Sequence, residues 1–259
     1  MFRAQQQDGM VWITGASDGI GRAVALALAA KGYRIAATAR RQEALNQLAA
    51  EAPGQIFAFP GDVTDREGMA GIVAAIEAAH GPIALALLNA GVYDQGERGG
   101  FEAQAAWRTI ETNLGGVIFC LDPLLAAMRE RGRGQIAMVA SLAGYRGIPG
   151  SLVYGASKSA VIHLAEGVKL TYEPEGLTIQ VINPGFVRTA MTSANNYAMP
   201  FMLEVDDAAR RIVEGLAHGG FEITFPKRLA YVLKAASLLP NALFFPLMAR
   251  AARRTKPKR

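Results

Sequence analysis

Residues 11–21 are VWITGASDGIG, which join a run typical of a strand to closely spaced glycines and the beginning of a helical pattern. Gly15, Gly19 and Gly21 permit a tight strand-to-helix turn in which a pyrophosphate can approach the backbone. Free N–H groups and the helix dipole then hold the anion. An ordinary turn could contain the same glycines, but a strand before them and a helix after them favour phosphate binding. The candidate contacts are Gly15, Ser17, Asp18, Gly19, Ile20 and Gly21.

Short segments typical of strands alternate with longer segments typical of helices along the rest of the chain. Short apolar runs alternate with longer stretches rich in Ala and Leu at helical spacing, a pattern that predicts parallel βαβ units. The short runs are apolar throughout, as in parallel strands covered on both faces. We therefore predict an α/β fold with a doubly wound, seven-stranded parallel sheet and helices on both faces. The predicted strands are 10–14, 34–39, 55–59, 83–88, 135–140, 178–182 and 222–225, and the predicted helices are 19–31, 42–51, 66–80, 101–130, 150–172 and 206–218.

Composition bounds the class of protein. The chain has 259 residues, of which 51% are hydrophobic and 19% charged, which predicts one globular domain with its core in residues 9–226. Cys120 is the single cysteine and the three histidines are scattered, so neither a disulfide nor a metal site is predicted. The last ten residues hold six cations and outweigh the net charge of +5, so nucleic acid is not an expected partner. The N-terminus lacks the apolar run of a signal peptide, and a cytoplasmic protein is expected.

The end of the second predicted strand carries Ala39, Arg40 and Arg41. A site for NAD(H) usually has an acidic residue at this position, which grips the ribose hydroxyls. Ala39 supplies no carboxylate, whereas guanidinium groups form bidentate, charge-assisted bonds to a 2′-phosphate. Arginines at a helix N-terminus are otherwise electrostatically disfavoured. NADP(H) is therefore the predicted cofactor, with NAD(H) as the alternative.

Two further strand ends could border the same cofactor. Asp62 and Val63 follow the third predicted strand and could meet the adenine edge. Asn89, Ala90 and Gly91 follow the fourth and could pass beneath the adenosine ribose. Both segments could equally be ordinary turns.

A candidate proton-transfer centre follows the fifth predicted strand. Tyr154 and Lys158 are four residues apart in a predicted helix, so they lie on one face. A lysine ammonium one turn away stabilises the phenolate and lowers the pKa of the phenol, from about 10, towards the working range. Ser141 ends the strand and could hold a substrate oxygen where charge develops. A surface pair without a function would have the same spacing, but the glycine-rich turn favours catalysis.

In this order and at these spacings, the motifs resemble the short-chain dehydrogenase/reductase family in its basic, single-domain form, which has a Rossmann-type sheet. Residues 14–21 match its T-G-x-x-x-G-x-G motif, residues 89–91 its N-A-G motif, and residues 154–158 its Y-x-x-x-K motif. Two positions depart from the pattern. Leu88 stands where many relatives have a further asparagine, and Asp18 where some NADP-selective relatives have a basic residue. The resemblance adds Asn113 to the catalytic set, and Pro184, Gly185, Val187 and Thr189 to the cofactor contacts, together with Tyr154 and Lys158.

The resemblance also implies a mechanism. Tyr154 would be the general acid in carbonyl reduction and the base in alcohol oxidation, while Lys158 lowers its pKa and contacts the nicotinamide ribose. Ser141 would orient the substrate oxygen, and Asn113 would hold a water of the proton relay. The implied function is NADP(H)-dependent interconversion of a carbonyl and a secondary alcohol by hydride transfer. The alternatives are a nucleotide-sensing or scaffold protein on the same fold, and a lipid reductase at a membrane surface.

Substrate choice is expected to depend on residues 142–151 and on residues 186–205, which resemble the family's mobile substrate loop. The second segment predicts an apolar small-molecule substrate, although its side chains could instead pack as a lid over the nicotinamide. The resemblance implies a homodimer or homotetramer formed through helices 101–130 and 150–172. The apolar residues of the loop are Met191, Tyr197, Met199, Phe201 and Met202.

Residues 227–259 form an apolar extension with a basic tail, beyond the minimal family pattern. Lys234, Pro240 and Pro246 argue against a membrane-spanning helix. Three alternatives remain: a helix folded over the active-site edge, a subunit contact, or a patch that lies on an anionic membrane surface. The first two are favoured because apolar stretches of this kind are more often buried in protein.

Overall fold

The computed structural model describes residues 2–93, 101–193 and 199–255. These residues contain one parallel sheet with the strand order β3-β2-β1-β4-β5-β6-β7, so the predicted seven-stranded parallel sheet is confirmed. The strands are β1 Met10–Thr14, β2 Ile35–Thr38, β3 Ile56–Ala58, β4 Ile83–Leu88, β5 Gly134–Val139, β6 Leu177–Pro184 and β7 Glu222–Phe225.

The direction in which strands are added reverses at β1. Val11 pairs with Ile35 of β2 on one side and with Leu85 of β4 on the other. Helical crossovers therefore lead to both sides of β1, and the loops after β1 and β4 diverge to opposite faces of the sheet. In open α/β sheets, the crevice at such a switch point is where ligands bind. The topology thus positions a site at the carboxyl ends of β1 and β4.

Helices cover both faces of the sheet, as predicted, and each face has its own apolar core. On one face, Val24 of α1 and Ile212 of α8 are fully buried, and on the other, Leu124 of α5 and Val161 of α6. The helices are α1 Gly19–Ala29, α2 Gln42–Glu51, α3 Arg66–His80, α4 Ala103–Ile110, α5 Gly116–Glu130, α6 Leu152–Tyr172, α7 Ala190–Ser193, α8 Val205–His218, α9 Lys227–Ser237 and α10 Asn241–Thr255.

The predicted helix 101–130 is interrupted by a π-helical turn, Glu111–Gly115, between α4 and α5. Residues Ala103–Glu130 are long and apolar enough to cross a membrane by length and composition, but α5 packs its apolar side chains against the sheet. Gly116 follows the π turn at a point where a Cβ atom would lie 2.6 Å from Val63 Cγ2. The turn and this glycine bring α5 close to the loop after β3.

The C-terminal extension folds into α9 and α10, which join at a short turn after Ser237. Among its described side chains, only Ala230 and Phe244 are buried. Arg146 points towards the carbonyl oxygens of Ala236, Ser237 and Leu239 at this turn and lies 3.7 Å from the ring centroid of Phe244. The extension is therefore attached to the loop after β5, while most of its apolar surface stays outside the core. The last residues of the basic tail, 256–259, lie outside the described residues.

Candidate active site

A cleft of about 370 Å³ lies at the carboxyl ends of β1, β2 and β4, where the topology positions it. Thirteen of the nineteen predicted cofactor residues line it, and Gly21, Tyr154, Lys158, Pro184, Gly185 and Val187 do not. The predicted residues that line the cleft are Gly15, Ser17, Asp18, Gly19, Ile20, Arg40, Arg41, Asp62, Val63, Asn89, Ala90, Gly91 and Thr189. Ala39 and Met191, which the sequence singled out for cofactor choice and for substrate choice, also line the cleft, and lining residues that the sequence did not single out are Gly61, Val92, Thr112 and Ala190.

The glycine-rich turn has no space for larger residues. Gly15 has a φ of +66°, and a Cβ atom there would lie 2.8 Å from Ala90 Cα. Gly21 is packed so closely that a Cβ atom would overlap the Gly15 carbonyl oxygen. Asp18 is the N-cap of α1, and its carboxylate accepts a hydrogen bond from Gly19 N at 2.6 Å. The turn therefore brings bare backbone and the positive end of α1 to the cleft, which is how anions are held at helix N-termini.

Two guanidinium groups border the cleft beyond β2. Arg41 Nη2 donates to Ser17 Oγ at 3.3 Å, which brings Arg41 to the glycine-rich turn. Arg40 Nη1 lies 3.9 Å from Asp62 Oδ2, with 72% of its side chain exposed. Ala39, the small buried residue at the strand end, supplies no carboxylate at its own position. This end of the cleft therefore holds two guanidinium groups beside the single carboxylate of Asp62 among its described neighbours beyond β2.

Asn89 joins the ends of β1 and β4. Its Nδ2 donates to Thr14 O at 3.1 Å and Gly15 O at 3.2 Å. Thr14 Oγ1 in turn accepts hydrogen bonds from the backbone N–H groups of Asn89 and Ala90. The Asn89 side chain thus holds the glycine-rich turn against the end of β4 by hydrogen bonds. Thr14 was not singled out from the sequence, although its position at the strand end gave the signal.

Gly91 links the cleft to the proton-transfer residues. A Cβ atom at this position would lie 3.2 Å from Asn113 Oδ1 and 3.4 Å from Lys158 Nζ. A side chain here would crowd the Asn113 amide oxygen and contact the Lys158 ammonium. The N-A-G segment therefore borders the cofactor cleft on one side and the candidate catalytic residues on the other.

Tyr154 and Lys158 lie one turn apart on α6, as their spacing predicted. Lys158 Nζ is 5.8 Å from the centroid of the Tyr154 ring. Its ammonium donates to Val139 O at 2.9 Å and is almost fully buried. Burial lowers the pKa of Lys158 to about 8. A buried cation with a lowered pKa beside a partly exposed phenol is an arrangement found at catalytic sites.

Asn113 lies in the π-helical turn and clamps the loop after β4 to α6. Its Oδ1 accepts from Val92 N at 2.7 Å, and its Nδ2 donates to Val92 O and to Ser157 Oγ, both at 3.0 Å. Ser157 Oγ donates to Tyr154 O at 2.7 Å. Asn113 is fully buried, so its side chain positions neighbouring backbone, and its water-holding role stays a prediction. Ser157 was overlooked because it stands inside the Y-x-x-x-K motif as an apparent spacer.

Ser141 follows β5 and is the N-cap of a short 3-10 turn. Its Oγ accepts from Ala143 N at 3.1 Å and lies 3.4 Å from Pro184 O at the end of β6. Thr189 faces the glycine-rich turn, since a Cβ atom on Gly19 would lie 3.2 Å from Thr189 Cγ2. Val187 is buried and bridges to Leu203. The ends of β5 and β6 thus meet beside α6, and the segment after β6 returns to the cleft.

Tyr93 was also overlooked in the sequence. Its ring packs edge-on against Tyr154, with centroids 5.2 Å apart, and its hydroxyl donates to Gly150 O at 2.6 Å. In the loop 186–205, Met191 lines the cleft, and Phe201 is exposed with a φ of +58°. Tyr197 of the same loop lies outside the described residues. A second cavity, of about 530 Å³, is lined by Arg40, Asp62, Thr64, Val92, Tyr93, Arg108, Glu111 and Thr112.

Comparison with known proteins links this geometry to a family of enzymes. The family described as short chain dehydrogenase matches residues 9–199. An uncharacterized oxidoreductase of Myxococcus xanthus is 35% identical over 235 residues, which cover 90% of this chain and 93% of the relative. A short-chain dehydrogenase from Streptomyces avermitilis superimposes with a TM-score of 0.78 at 26% identity, covering 96% of this chain and 98% of its own.

A further solved structure carries a cofactor in its description. It is a variant of actinorhodin polyketide ketoreductase with NADPH, which has a TM-score of 0.78 at 25% identity and covers 88% of this chain and 99% of its own. Both solved structures are therefore similar to this chain over most of its length.

Proposed function

The chain belongs to the short-chain dehydrogenase/reductase family of oxidoreductases, and from this premise we propose that it is an NADP(H)-dependent enzyme that interconverts a carbonyl compound and a secondary alcohol. The observation that carries the proposal is the buried Lys158 ammonium beside Tyr154, at the border of a cleft with a glycine-rich turn. Members of the family use NAD(P) cofactors, and the proposal adds the choice of cofactor, the direction of proton transfer and the class of substrate.

The donor set of the cleft fits a dinucleotide. A Cβ atom on Gly15 would collide with the backbone of Ala90, and one on Gly91 would crowd Asn113, so the two glycines let the loops after β1 and β4 pack closely and leave their backbone at the cleft. The backbone at the beginning of α1 supplies N–H donors for the pyrophosphate. Thr189 would contact the nicotinamide carboxamide, and Lys158 its ribose. When bound, the nicotinamide supplies or accepts the hydride.

The choice of NADP(H) rests on Arg40 and Arg41. Arg41 reaches Ser17 in the glycine-rich turn, and Arg40 borders the same cleft near Asp62. A 2′-phosphate between the two guanidinium groups would accept bidentate, charge-assisted hydrogen bonds. The structural similarity to a polyketide ketoreductase with NADPH supports the same choice. NAD(H) is the alternative, and it would leave both guanidinium groups without this ligand.

The proton chemistry is assigned to α6. In carbonyl reduction, the Tyr154 hydroxyl donates its proton to the substrate oxygen while the substrate carbon receives the hydride, so the product is a neutral alcohol. Because the pKa of Lys158 is about 8, its ammonium is charged at neutral pH and stabilises the phenolate that remains. The Ser141 hydroxyl, which now caps the 3-10 turn, would turn towards the substrate oxygen and hold it.

The substrate is proposed to be a largely apolar small molecule. Tyr93 packs against Tyr154, and Met191 lines the cofactor cleft. Exposed Phe201 extends the same apolar character along the loop. These side chains leave few polar partners for a substrate beyond Ser141 and Tyr154, so apolar contact would provide most of the binding free energy.

A homo-oligomer is proposed from the outer faces of α4, α5 and α6. Large apolar side chains stand exposed on these helices, and contiguous exposed apolar surface often marks a subunit interface. The residues are Trp107, Ile118, Leu152 and Leu170. Light scattering on the purified protein tests this directly, since a monomer would leave these side chains in water.

The reaction is tested by oxidation of NADPH and of NADH, measured in parallel over aliphatic, aromatic, steroid and long-chain ketones and aldehydes. Turnover with NADPH that exceeds turnover with NADH supports the reaction class and the cofactor choice together. Turnover with NADH alone overturns the cofactor choice. Silence with both cofactors, alongside measurable NADPH binding, contradicts the enzyme and favours a nucleotide-sensing protein on the same fold.

A further inference from the structure

The C-terminal helix pair (residues 227–255, α9 and α10) has an exposed face that the reaction does not use. Its described large apolar side chains are mostly in solvent, and Leu238, in the turn between the helices, is 85% exposed. So many exposed apolar groups on a short segment mark an interaction site rather than ordinary surface. The exposed set is Tyr231, Val232, Leu238, Leu243, Phe245 and Leu247.

The charges of the same segment have one sign. Residues 223–259 contain nine Lys and Arg and no Asp or Glu. Lys234 is paired with Glu222 on β7, whereas Lys227, Arg228 and Arg250 are exposed at the two ends of the apolar stretch. Apolar side chains flanked by cations are the composition of segments that lie in the interface of anionic bilayers.

The helix pair is fixed to the body of the protein, so its exposed face has a defined direction. Arg146 holds the turn after Ser237 through backbone carbonyls, and its Nη2 donates to Asn241 Oδ1 at 2.6 Å. Phe244 is buried beneath the Arg146 guanidinium. Its burial leaves the neighbouring Leu243 and Phe245 outside.

Length and charge decide between the possible occupants of this face. The helices have 11 and 15 residues and so extend over about 16 and 22 Å, short of the roughly 30 Å of hydrocarbon that a spanning helix crosses. A second copy of the face would bring two sets of cations together without a carboxylate between residues 223 and 259 to compensate them. Anionic lipid headgroups compensate the cations, and the acyl boundary accepts the apolar side chains.

We propose that the C-terminal helix pair docks this protein on the surface of anionic membranes, with the exposed apolar side chains in the headgroup and acyl boundary and the flanking cations on lipid phosphates. Arg146, in the loop after β5, holds the helix pair by hydrogen bonds, so the docking surface is attached to the loop that follows Ser141. The proposal does not depend on the identity of the carbonyl substrate.

Sedimentation of the full chain with lipid vesicles tests the docking, without any measurement of turnover. The protein is expected to pellet with vesicles that contain about one-third phosphatidylglycerol and to stay in solution with phosphatidylcholine alone, because the surface charge supplies part of the binding. The triple variant Leu243→Ser/Phe245→Ser/Leu247→Ser should bind the anionic vesicles about tenfold more weakly or worse, since affinity scales with inserted apolar area.

Two matched single variants test whether vesicle binding depends on this face or on any exposed apolar side chain. Leu238→Ser should weaken vesicle binding, whereas Phe101→Ser, at a phenylalanine that precedes α4 and is 69% exposed, should leave it unchanged. Thermal unfolding shows that each variant is folded. The proposal is overturned if the wild-type chain stays in solution with anionic vesicles, binds both lipids equally, or loses binding equally in both single variants. A change of oligomeric mass in Leu238→Ser, without vesicles, would make the face a subunit contact and overturn it as well.

Discussion

At the carboxyl ends of the strands, the region that would bind the nucleotide and the region that would bind the substrate are stabilised by different kinds of contact. At the nucleotide end, the loops after β1 and β4, backbone packs on backbone, and Gly15 and Gly21 leave no space for a Cβ atom. At the substrate end, the loop after β5 and the C-terminal helix pair, long side chains such as Arg146 span open distances. A phosphate-binding turn tolerates little variation because its ligand is the backbone itself, whereas a surface held by a few side chains can change its ligand with them.

A half-buried polar cluster around Glu222 shows in detail how side chains hold the substrate end. Glu222 at the beginning of β7 accepts from Tyr145, Lys234 and Asn183. Burial would raise the pKa of Glu222, but the hydrogen bonds from these partners outweigh it and the pKa is lowered. Burial and the neighbouring carboxylate raise the pKa of Tyr145. The cluster joins the loop after Ser141 to α9 through side chains alone.

Lys158 stands where the two ends meet, and its removal is expected to have the largest effect. Lys158→Met should reduce turnover by about 10²–10⁴-fold, because the phenolate of Tyr154 loses its stabilising cation. Steady-state rates with saturating NADPH measure this. Lys169→Met, at a lysine of the same helix that pairs with Glu173, is the control and should keep near-normal turnover. If Lys158→Met turned over at the wild-type rate, the Lys158 ammonium would have no role in the mechanism.

The Lys158→Met variant should also change how the free energy of unfolding depends on pH. The folded protein lowers the pKa of Lys158 from 10.5 to about 8, so between these values the unfolded chain binds more protons, and stability rises with pH. The rise attributable to Lys158 is at most about 3 kcal/mol. Denaturant unfolding at several pH values should show a smaller rise in Lys158→Met than in the wild type. An unchanged pH profile would mean that the buried amine does not titrate in this range.

One Gly→Ala substitution at the nucleotide end and one at the substrate end test whether the two ends differ in how closely their backbone is packed. Gly15→Ala should cost about 2–4 kcal/mol of unfolding free energy, because it adds a left-handed alanine to a backbone collision, and it should weaken NADPH binding at least about tenfold. Gly147→Ala, in the loop after β5 where a Cβ atom meets nothing within 4 Å, should stay within about 0.5 kcal/mol of the wild type. Equal effects at the two positions would contradict the contrast.

The role of Arg40 in the choice of cofactor can be tested at the nucleotide end. Arg40→Ala should weaken NADPH binding by about 1.5–3 kcal/mol and leave NADH binding nearly unchanged, because one charged contact to the 2′-phosphate is lost. Arg66→Ala is a matched control, since Arg66 is 71% exposed and also lies near an aspartate. Fluorescence titration with both cofactors measures the difference. Equal loss for NADPH and NADH would exclude Arg40 as the phosphate ligand.

The smallest effect is expected at the substrate end. Arg146→Ala should raise KM for a bulky carbonyl about threefold and leave NADPH binding unchanged, because loosening the loop costs only part of the apolar contact. Arg133→Ala, at a more exposed arginine with a 3.9 Å ion pair, provides the control. A large loss of NADPH binding in Arg146→Ala would mean that the two ends are not independent.

Periodicity was sufficient to predict the sheet, because doubly buried parallel strands are apolar throughout and their ends hold the motifs. All seven strands lie where the sequence predicted them, with bounds shifted by a few residues. The π-helical turn around Asn113 was not predicted, since it has only five residues, Glu111–Gly115, and directly continues α4 into α5. A segment this short is difficult to separate from the two helices that flank it by the pattern of its apolar residues alone.

The candidate site residues could be proposed from the sequence where a reaction requires a residue type, but not where contacts between distant residues decide. Tyr154, Lys158 and the glycines follow from what a proton transfer and a phosphate need. Ser157 and Tyr93 act through hydrogen bonds and ring packing with partners distant in sequence, which no local motif records. The exposure of the C-terminal helix pair likewise depends on what Arg146 and Phe244 hold in place. The sequence had favoured burial for that segment.

The central claim is that Tyr154 moves the proton, and one comparison of rates tests it. NADPH oxidation by Tyr154→Phe is measured at saturating cofactor with the best carbonyl substrate, beside Tyr172→Phe on the same helix α6. We predict that Tyr154→Phe loses turnover by about 10²-fold or more with NADPH affinity retained, because only the donated proton is removed, while Tyr172→Phe keeps the wild-type rate. A Tyr154→Phe enzyme that reduces the carbonyl as fast as the control would contradict the claim.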